Sequence, residues 1–211
     1  MRLGNIELRW LGQSGFLIEN TRKIYIDPYK IKSWEKADLI LITHSHYDHC
    51  SIEDLKKIVK DGTIVICSGD CCSKFNHMQE KIDLRVIELG QEIEVPGIKV
   101  KAVPAYNTDK SFHDKREYWN GYIIDIEGIR IYHAGDTDLI PEMQQLGKID
   151  VALLPVGGTY TMNAEEAAKA AFMIKPKLAV PMHFGSMVGS KEDGLRFKDL
   201  CEGEGINCEI L

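Results

Sequence analysis

The segment Thr43-His44-Ser45-His46-Tyr47-Asp48-His49 sets three imidazoles and a carboxylate within six positions, directly after the apolar run Asp38-Leu39-Ile40-Leu41-Ile42. A short run of Leu and Ile reads as a buried strand. The polar cluster therefore sits at a strand's C-terminal end. Imidazole and carboxylate are natural ligands for zinc and similar divalent ions. Alternate positions on an extended segment face the same way, so His44 and His46 can grip one ion. Asp48 and His49 lie just beyond, placed to serve a second. Chance clustering is a poor alternative, because the chain has 7 His in 211 residues and three fall here.

The composition sets limits around that motif. A chain of 211 residues with 44% hydrophobic content can bury one sizeable core, so one domain, 1–211, is expected. A formal net charge of −6 argues against a surface that wraps a polyanion; nucleic acid stays open only at a local basic patch. A small molecule is the expected partner, and self-association is left open. No stretch of eighteen apolar residues exists to span a membrane. Met1-Arg2-Leu3-Gly4-Asn5 leads into a strand-like segment without an apolar signal region, so the cytoplasm is the expected compartment. Cys50, Cys67, Cys71, Cys72, Cys201 and Cys208 are too scattered for a secreted disulfide framework and read as free thiols.

Periodicity and turn residues lay out the elements. Three short strands are expected at 5–11, 14–19 and 23–27, then the strand at 38–42. Ser51 should cap a helix running to about Lys60. A strand follows at 63–67, a short helix at 70–79, and strands near 84–88, 91–95 and 97–103. Residues 121–126 and 129–133 read as a hairpin around Glu127-Gly128. Further along come a helix near 139–146, a strand at 151–155 and an Ala-rich helix capped by Asn163. A strand at 178–182, a helix at 191–201 and a closing strand at 207–210 complete the chain. Strands first, then alternating helices and strands, describe a layered α/β domain.

His-x-His-x-Asp-His after a hydrophobic strand resembles the signature of the metallo-β-lactamase superfamily. Other landmarks are similar, in order: Trp10-Leu11-Gly12-Gln13-Ser14-Gly15-Phe16, Ile24-Tyr25-Ile26-Asp27-Pro28, Ala134-Gly135-Asp136-Thr137 and Pro181-Met182-His183-Phe184-Gly185. The branch it most resembles is that of small metal-dependent hydrolases similar to ascorbate-6-phosphate lactonase. The resemblance implies a four-layer αββα sandwich and two divalent ions, zinc first, with manganese, nickel or iron as alternatives. It assigns His44 and His46 to the first ion, Asp48, His49 and His183 to the second, and Asp136 to both. Asp48 and Asp136 become the expected catalytic carboxylates. Read without the resemblance, Asp136 could cap a turn and His183 could be a core histidine.

One departure stands out. The superfamily usually supplies a third histidine to the first ion, and the matching segment here is Val103-Pro104-Ala105-Tyr106-Asn107. Asn107 takes the expected place; its amide oxygen suits harder ions. His113 lies six residues on and is the alternative ligand. Asn107, Lys110 and Tyr160 are candidate substrate contacts. Lys110, Lys115 and Arg116 form a basic stretch, and the amides of Gly157-Gly158-Thr159-Tyr160-Thr161 could receive an anion or form a plain turn. The function expected is hydrolysis of a small ester, lactone or phosphodiester by a metal-bound hydroxide. A non-hydrolytic metal-binding or redox protein of the same fold is the other class.

Overall fold

The strands predicted around the histidine motif form one mixed sheet of the first unit, Met1–Glu88, in the computed structural model, which describes residues 1–32 and 34–211. In chain order they are β1 (Arg2–Leu3), β2 (Ile6–Gly12), β3 (Gly15–Glu19), β4 (Lys23–Ile26), β5 (Leu39–Ile42), β6 (Ile64–Cys67) and β7 (Asp83–Val86), each beside the next. The strands from β1 to β4 pair antiparallel as a meander, and those from β4 to β7 pair parallel. All four side chains of β5 are buried, as a strand covered on both faces requires. Ile40 and Ile42 pack with Tyr25, Val65, Leu55 and Ile58 in one apolar cluster. Each such aliphatic side chain contributes about 1.5–3 kcal/mol on burial.

Helix α1 (Ile52–Ile58) follows the motif, with Ser51 capping it by accepting from the Asp54 amide as the sequence implied. A cap of this kind is worth about 1 kcal/mol. It stops at Val59, short of the expected Lys60. The helix expected at 70–79 is a 3-10 segment, Gly69–Phe75. Gly, Asp, Cys and Ser there are weak helix formers, and the chain settles for tighter turns.

The second unit, Leu89–Leu211, carries the other sheet, ordered β13-β12-β11-β10-β9-β8. Its strands are β8 (Glu92–Val95), β9 (Ile98–Pro104), β10 (Asn120–Ile126), β11 (Ile129–His133), β12 (Val151–Pro155) and β13 (Leu178–Met182). Strands β8 to β11 alternate direction, while β11, β12 and β13 run parallel. The C-terminal ends of β9, β11, β12 and β13 therefore share one sheet edge. In parallel sheets such an edge is where ligands bind.

Helix α2 (Ala164–Ile174) opens on a capping box between Asn163 and Glu166, and α3 (Lys191–Gly203) packs against it. The helix expected near 139–146 is only a 3-10 turn, Pro141–Gln145, because Pro141 and Gly147 leave too few residues for α-helix. The expected closing strand at 207–210 reduces to a single bridge between Ala179 and Cys208. All six cysteines are free. No described helix is long and apolar enough to cross a membrane.

Candidate functional site

Asp27 organises the histidine motif of the first unit. It follows β4 at φ 42°, a left-handed backbone that costs a non-glycine residue about 1–2 kcal/mol. Its buried carboxylate accepts from the Thr43 amide at 2.9 Å, the Thr43 hydroxyl at 2.6 Å and His49 Nδ1 at 2.8 Å. The hydroxyl proton of Thr43 is thereby committed, so its oxygen accepts from His44 Nδ1, 3.0 Å away. One carboxylate thus fixes two imidazoles, directly and through a hydroxyl. Both carry their proton on Nδ1 and present Nε2 as a lone pair.

Those lone pairs meet the other two motif residues. His44 Nε2 lies 3.1 Å from His46 Nδ1, as the alternation of the extended segment implied. His49 Nε2 lies 3.6 Å from Asp48 Oδ2, which also accepts from Gln13 Nε2 at 3.0 Å. The turn itself is pinned by amides of His49 and Cys50 donating to the His46 carbonyl, at 3.1 and 2.8 Å. The Ser45 amide donates to Asp70, and Lys74 to the Ser45 carbonyl.

In the second unit, three predicted residues from three separate segments converge. Asp136 Oδ2 is 3.3 Å from His113 Nε2 and 3.1 Å from His183 Nε2. All three residues are buried. Asp136 follows β11 through Gly135, where φ is +65° and a Cβ would lie 2.7 Å from the Asn120 carbonyl oxygen, leaving no room for a side chain. His133, buried on β11, accepts the Gly135 amide at 3.2 Å and so steadies that turn. His183 follows β13 at φ 59°, a second strained residue at a strand end.

Asn107 and His113 turn out to be one construction. Nδ1 of His113 is 3.1 Å from both Asn107 Oδ1 and the Tyr160 carbonyl. Both are acceptors, so Nδ1 bears the proton and Nε2 faces Asp136 as a lone pair. Asn107 also accepts the His113 amide at 3.0 Å and donates to Asp138 and to the Tyr160 carbonyl at 3.1 and 2.9 Å. Its carboxamide therefore serves His113, and it sits 7% exposed.

Lys110 donates to Asp138 at 2.7 Å and to Asp109 at 3.0 Å. Burial pulls its ammonium down, but these two carboxylates outweigh burial and raise it above the ordinary lysine range. Tyr160 contributes its carbonyl to His113, and its ring stays partly exposed.

The donor set suits a divalent ion. Two ligand atoms at the tetrahedral angle about an ion roughly 2.0–2.1 Å away stand about 3.4 Å apart. The pairs above are spaced 3.1, 3.6, 3.3 and 3.1 Å. His44, His49 and His113 each have the far nitrogen tied to a neighbour, the arrangement that fixes a metal-binding imidazole. Asp27, Thr43, Gln13 and Asp138 had no assigned role in the sequence. Asp27, Gln13 and Thr43 lay within the quoted motifs, and Asp138 beside one, without a role of their own.

The model of the beta-lactamase superfamily domain matches residues 7–183, which takes in every residue of both clusters. A UPF0173 metal-dependent hydrolase of Thermococcus onnurineus is 38% identical, over 98% of this chain and 95% of that protein. The crystal structure of a protein from Parabacteroides distasonis superposes with a TM-score of 0.86 at 33% identity, covering 97% of this chain and 92% of the other. A metallo hydrolase of the hyperthermophilic archaeon Ignicoccus hospitalis gives a TM-score of 0.80 at 28% identity, over 98% and 94%. With two mixed sheets that carry helices, the expected α/β sandwich fold of the superfamily is borne out.

Proposed function

The chain belongs to the metallo-β-lactamase superfamily, and from that premise we propose that it is a metal-dependent hydrolase of a small ester, lactone or phosphodiester. The proposed centre is binuclear, and the proposed working unit is a single domain. His44, His46 and His113 would hold the first ion, and Asp48, His49 and His183 the second, with Asp136 serving both. Relatives named metal-dependent hydrolases, matched over nearly their whole length, support the activity.

One observation carries the ligand assignment: a single oxygen of Asp136 lies between the Nε2 atoms of His113 and His183. A carboxylate in that position can answer to two ions at once. With His113 included, three imidazoles serve the first ion, which favours zinc over harder ions. Bound divalent ions would supply Lewis acidity, acidifying water and polarising the bond to be cut.

The protein's own part is positioning. Asp27 and Thr43 keep His44 and His49 in the tautomer that offers Nε2. Asn107 and the Tyr160 carbonyl do the same for His113. Gln13 orients the Asp48 carboxylate.

The test is hydrolysis of an ester, lactone, thioester and phosphodiester panel by chelator-stripped and zinc-reloaded protein. Activity on one class should vanish on stripping and return on reloading. Asp136→Asn should lower turnover by more than about a hundredfold with circular dichroism unchanged. Normal turnover in that variant would make Asp136 a turn residue only.

A further inference from the structure

Loop 107–113 of the second unit closes on itself, the Asn107 amide donating to the His113 carbonyl at 2.7 Å. It presents Phe112 to solvent at 48% exposure, immediately before the proposed ligand His113. Tyr160 is 39% exposed, and its ring meets Phe112 edge to face at 4.7 Å and 90°. The same Tyr160 accepts the His113 Nδ1 proton through its carbonyl. Two aromatic rings are therefore held in a fixed pair, half in water, on the two segments that position His113. Keeping such rings half wet forgoes part of the hydrophobic gain that full burial would give. A ligand that covers them recovers part of it.

The polar groups around this pair are committed elsewhere. Lys110 is engaged by Asp138 and Asp109. Lys115 is engaged by Glu142 and by the Tyr106 hydroxyl, with its ammonium 4.3 Å from that ring's centre. Arg116 pairs with Asp114, whose carboxyl it holds down at about 2. An anionic substrate would meet cations that already have carboxylate partners.

Two of the amides that could have cradled an anion are engaged as well. Gly158 donates to the Met162 carbonyl and Thr159 to the Gly157 carbonyl, both at 3.0 Å. The start of α2 is closed by its capping box and carries Glu165 and Glu166 in its first turn. Two amides of residues 157–161 are thus already engaged within the segment and its neighbour Met162.

Resting on the hydrolase reading above, we propose that the Phe112–Tyr160 pair is the platform for an uncharged aryl or alkyl group of the substrate. The substrate class is then an apolar ester, thioester or lactone, not a phosphorylated metabolite. Phe112 and Tyr160 set specificity, while His113 beside them serves the metal.

Fluorine NMR of the zinc-loaded protein carrying para-fluorophenylalanine tests this directly. The chain has 6 Phe, and the Phe112 signal is the one lost in Phe112→Leu. Benzylacetone, an uncharged aryl ketone, should shift that signal saturably, and Tyr160→Ala should weaken the response. Glycerol phosphate should leave it in place. A Phe112 signal unmoved by benzylacetone, or moved by glycerol phosphate at lower concentration, overturns the proposal.

A kinetic arm separates the two readings. Phe112→Ala should keep its metal content while the kcat/KM ratio of para-nitrophenyl phenylacetate to para-nitrophenyl acetate falls about tenfold. An unchanged ratio overturns the platform. A saturable shift without cleavage of any ester leaves the platform standing and removes the hydrolase reading; cleavage without a shift does the reverse.

Discussion

Nε2 of His113 stands 3.3 Å from Oδ2 of Asp136. The other ring nitrogen is held by Asn107 and by the Tyr160 carbonyl, so the lone pair faces the carboxylate. Sequence spacing left Asn107 and His113 as competing ligands for the first ion. In the proposed centre that competition becomes a division of labour, with Asn107 supporting His113.

His113→Ala should therefore lose tight binding of one ion per chain, read by elemental analysis after dialysis. Asn107→Ala leaves the imidazole in place but removes one of the two acceptors of its far nitrogen, the Tyr160 carbonyl remaining, and should weaken that ion by about tenfold. Wild-type metal content in His113→Ala would return the ligand role to another group.

Asp27→Asn probes the support on the other unit. The carboxylate accepts from Thr43 and His49, and an amide would offer a donor where one of those protons points. Zinc affinity, measured by competition with a chromophoric chelator, should fall about ten- to a hundredfold with the fold retained. Unchanged affinity would mean that His44 and His49 do not need this orientation.

Asp54 gives a pH test of stability. Burial raises its carboxyl, but hydrogen bonds from Lys57, Ser51 and the Lys30 amide, with the Lys57 charge, prevail and lower it. A carboxyl lowered on folding adds stability that is present above its unfolded pKa, near 3.9, and lost as pH falls through the lower folded value. Asp54→Asn should cost about 2 kcal/mol at neutral pH in urea unfolding. The gap to wild type should begin to close below about pH 4 and disappear at more acid pH. A gap independent of pH would remove the charge from this account.

Most of the fold was legible because apolar runs such as Leu39–Ile42 and Val151–Pro155 are buried on both faces and bounded by clear turn residues. The errors fell on short elements. Gly69–Phe75 is built mostly of weak helix formers and Pro141–Gln145 is too short, so each closes as a 3-10 segment where an α-helix was expected. Histidines and acids of the site announced themselves by type and order. Their supports did not: Asp27, Thr43 and Asp138 are ordinary residue types whose roles depend on contacts 16, 22 or 31 positions away. Nor could spacing show that Asn107 and His113 share one loop.

The central claim is a binuclear centre built from seven ligands, and metal stoichiometry tests it most directly. Elemental analysis of wild-type protein, reloaded with excess zinc and desalted, should give about two ions per chain. Saturation at one ion, or none retained, would contradict it.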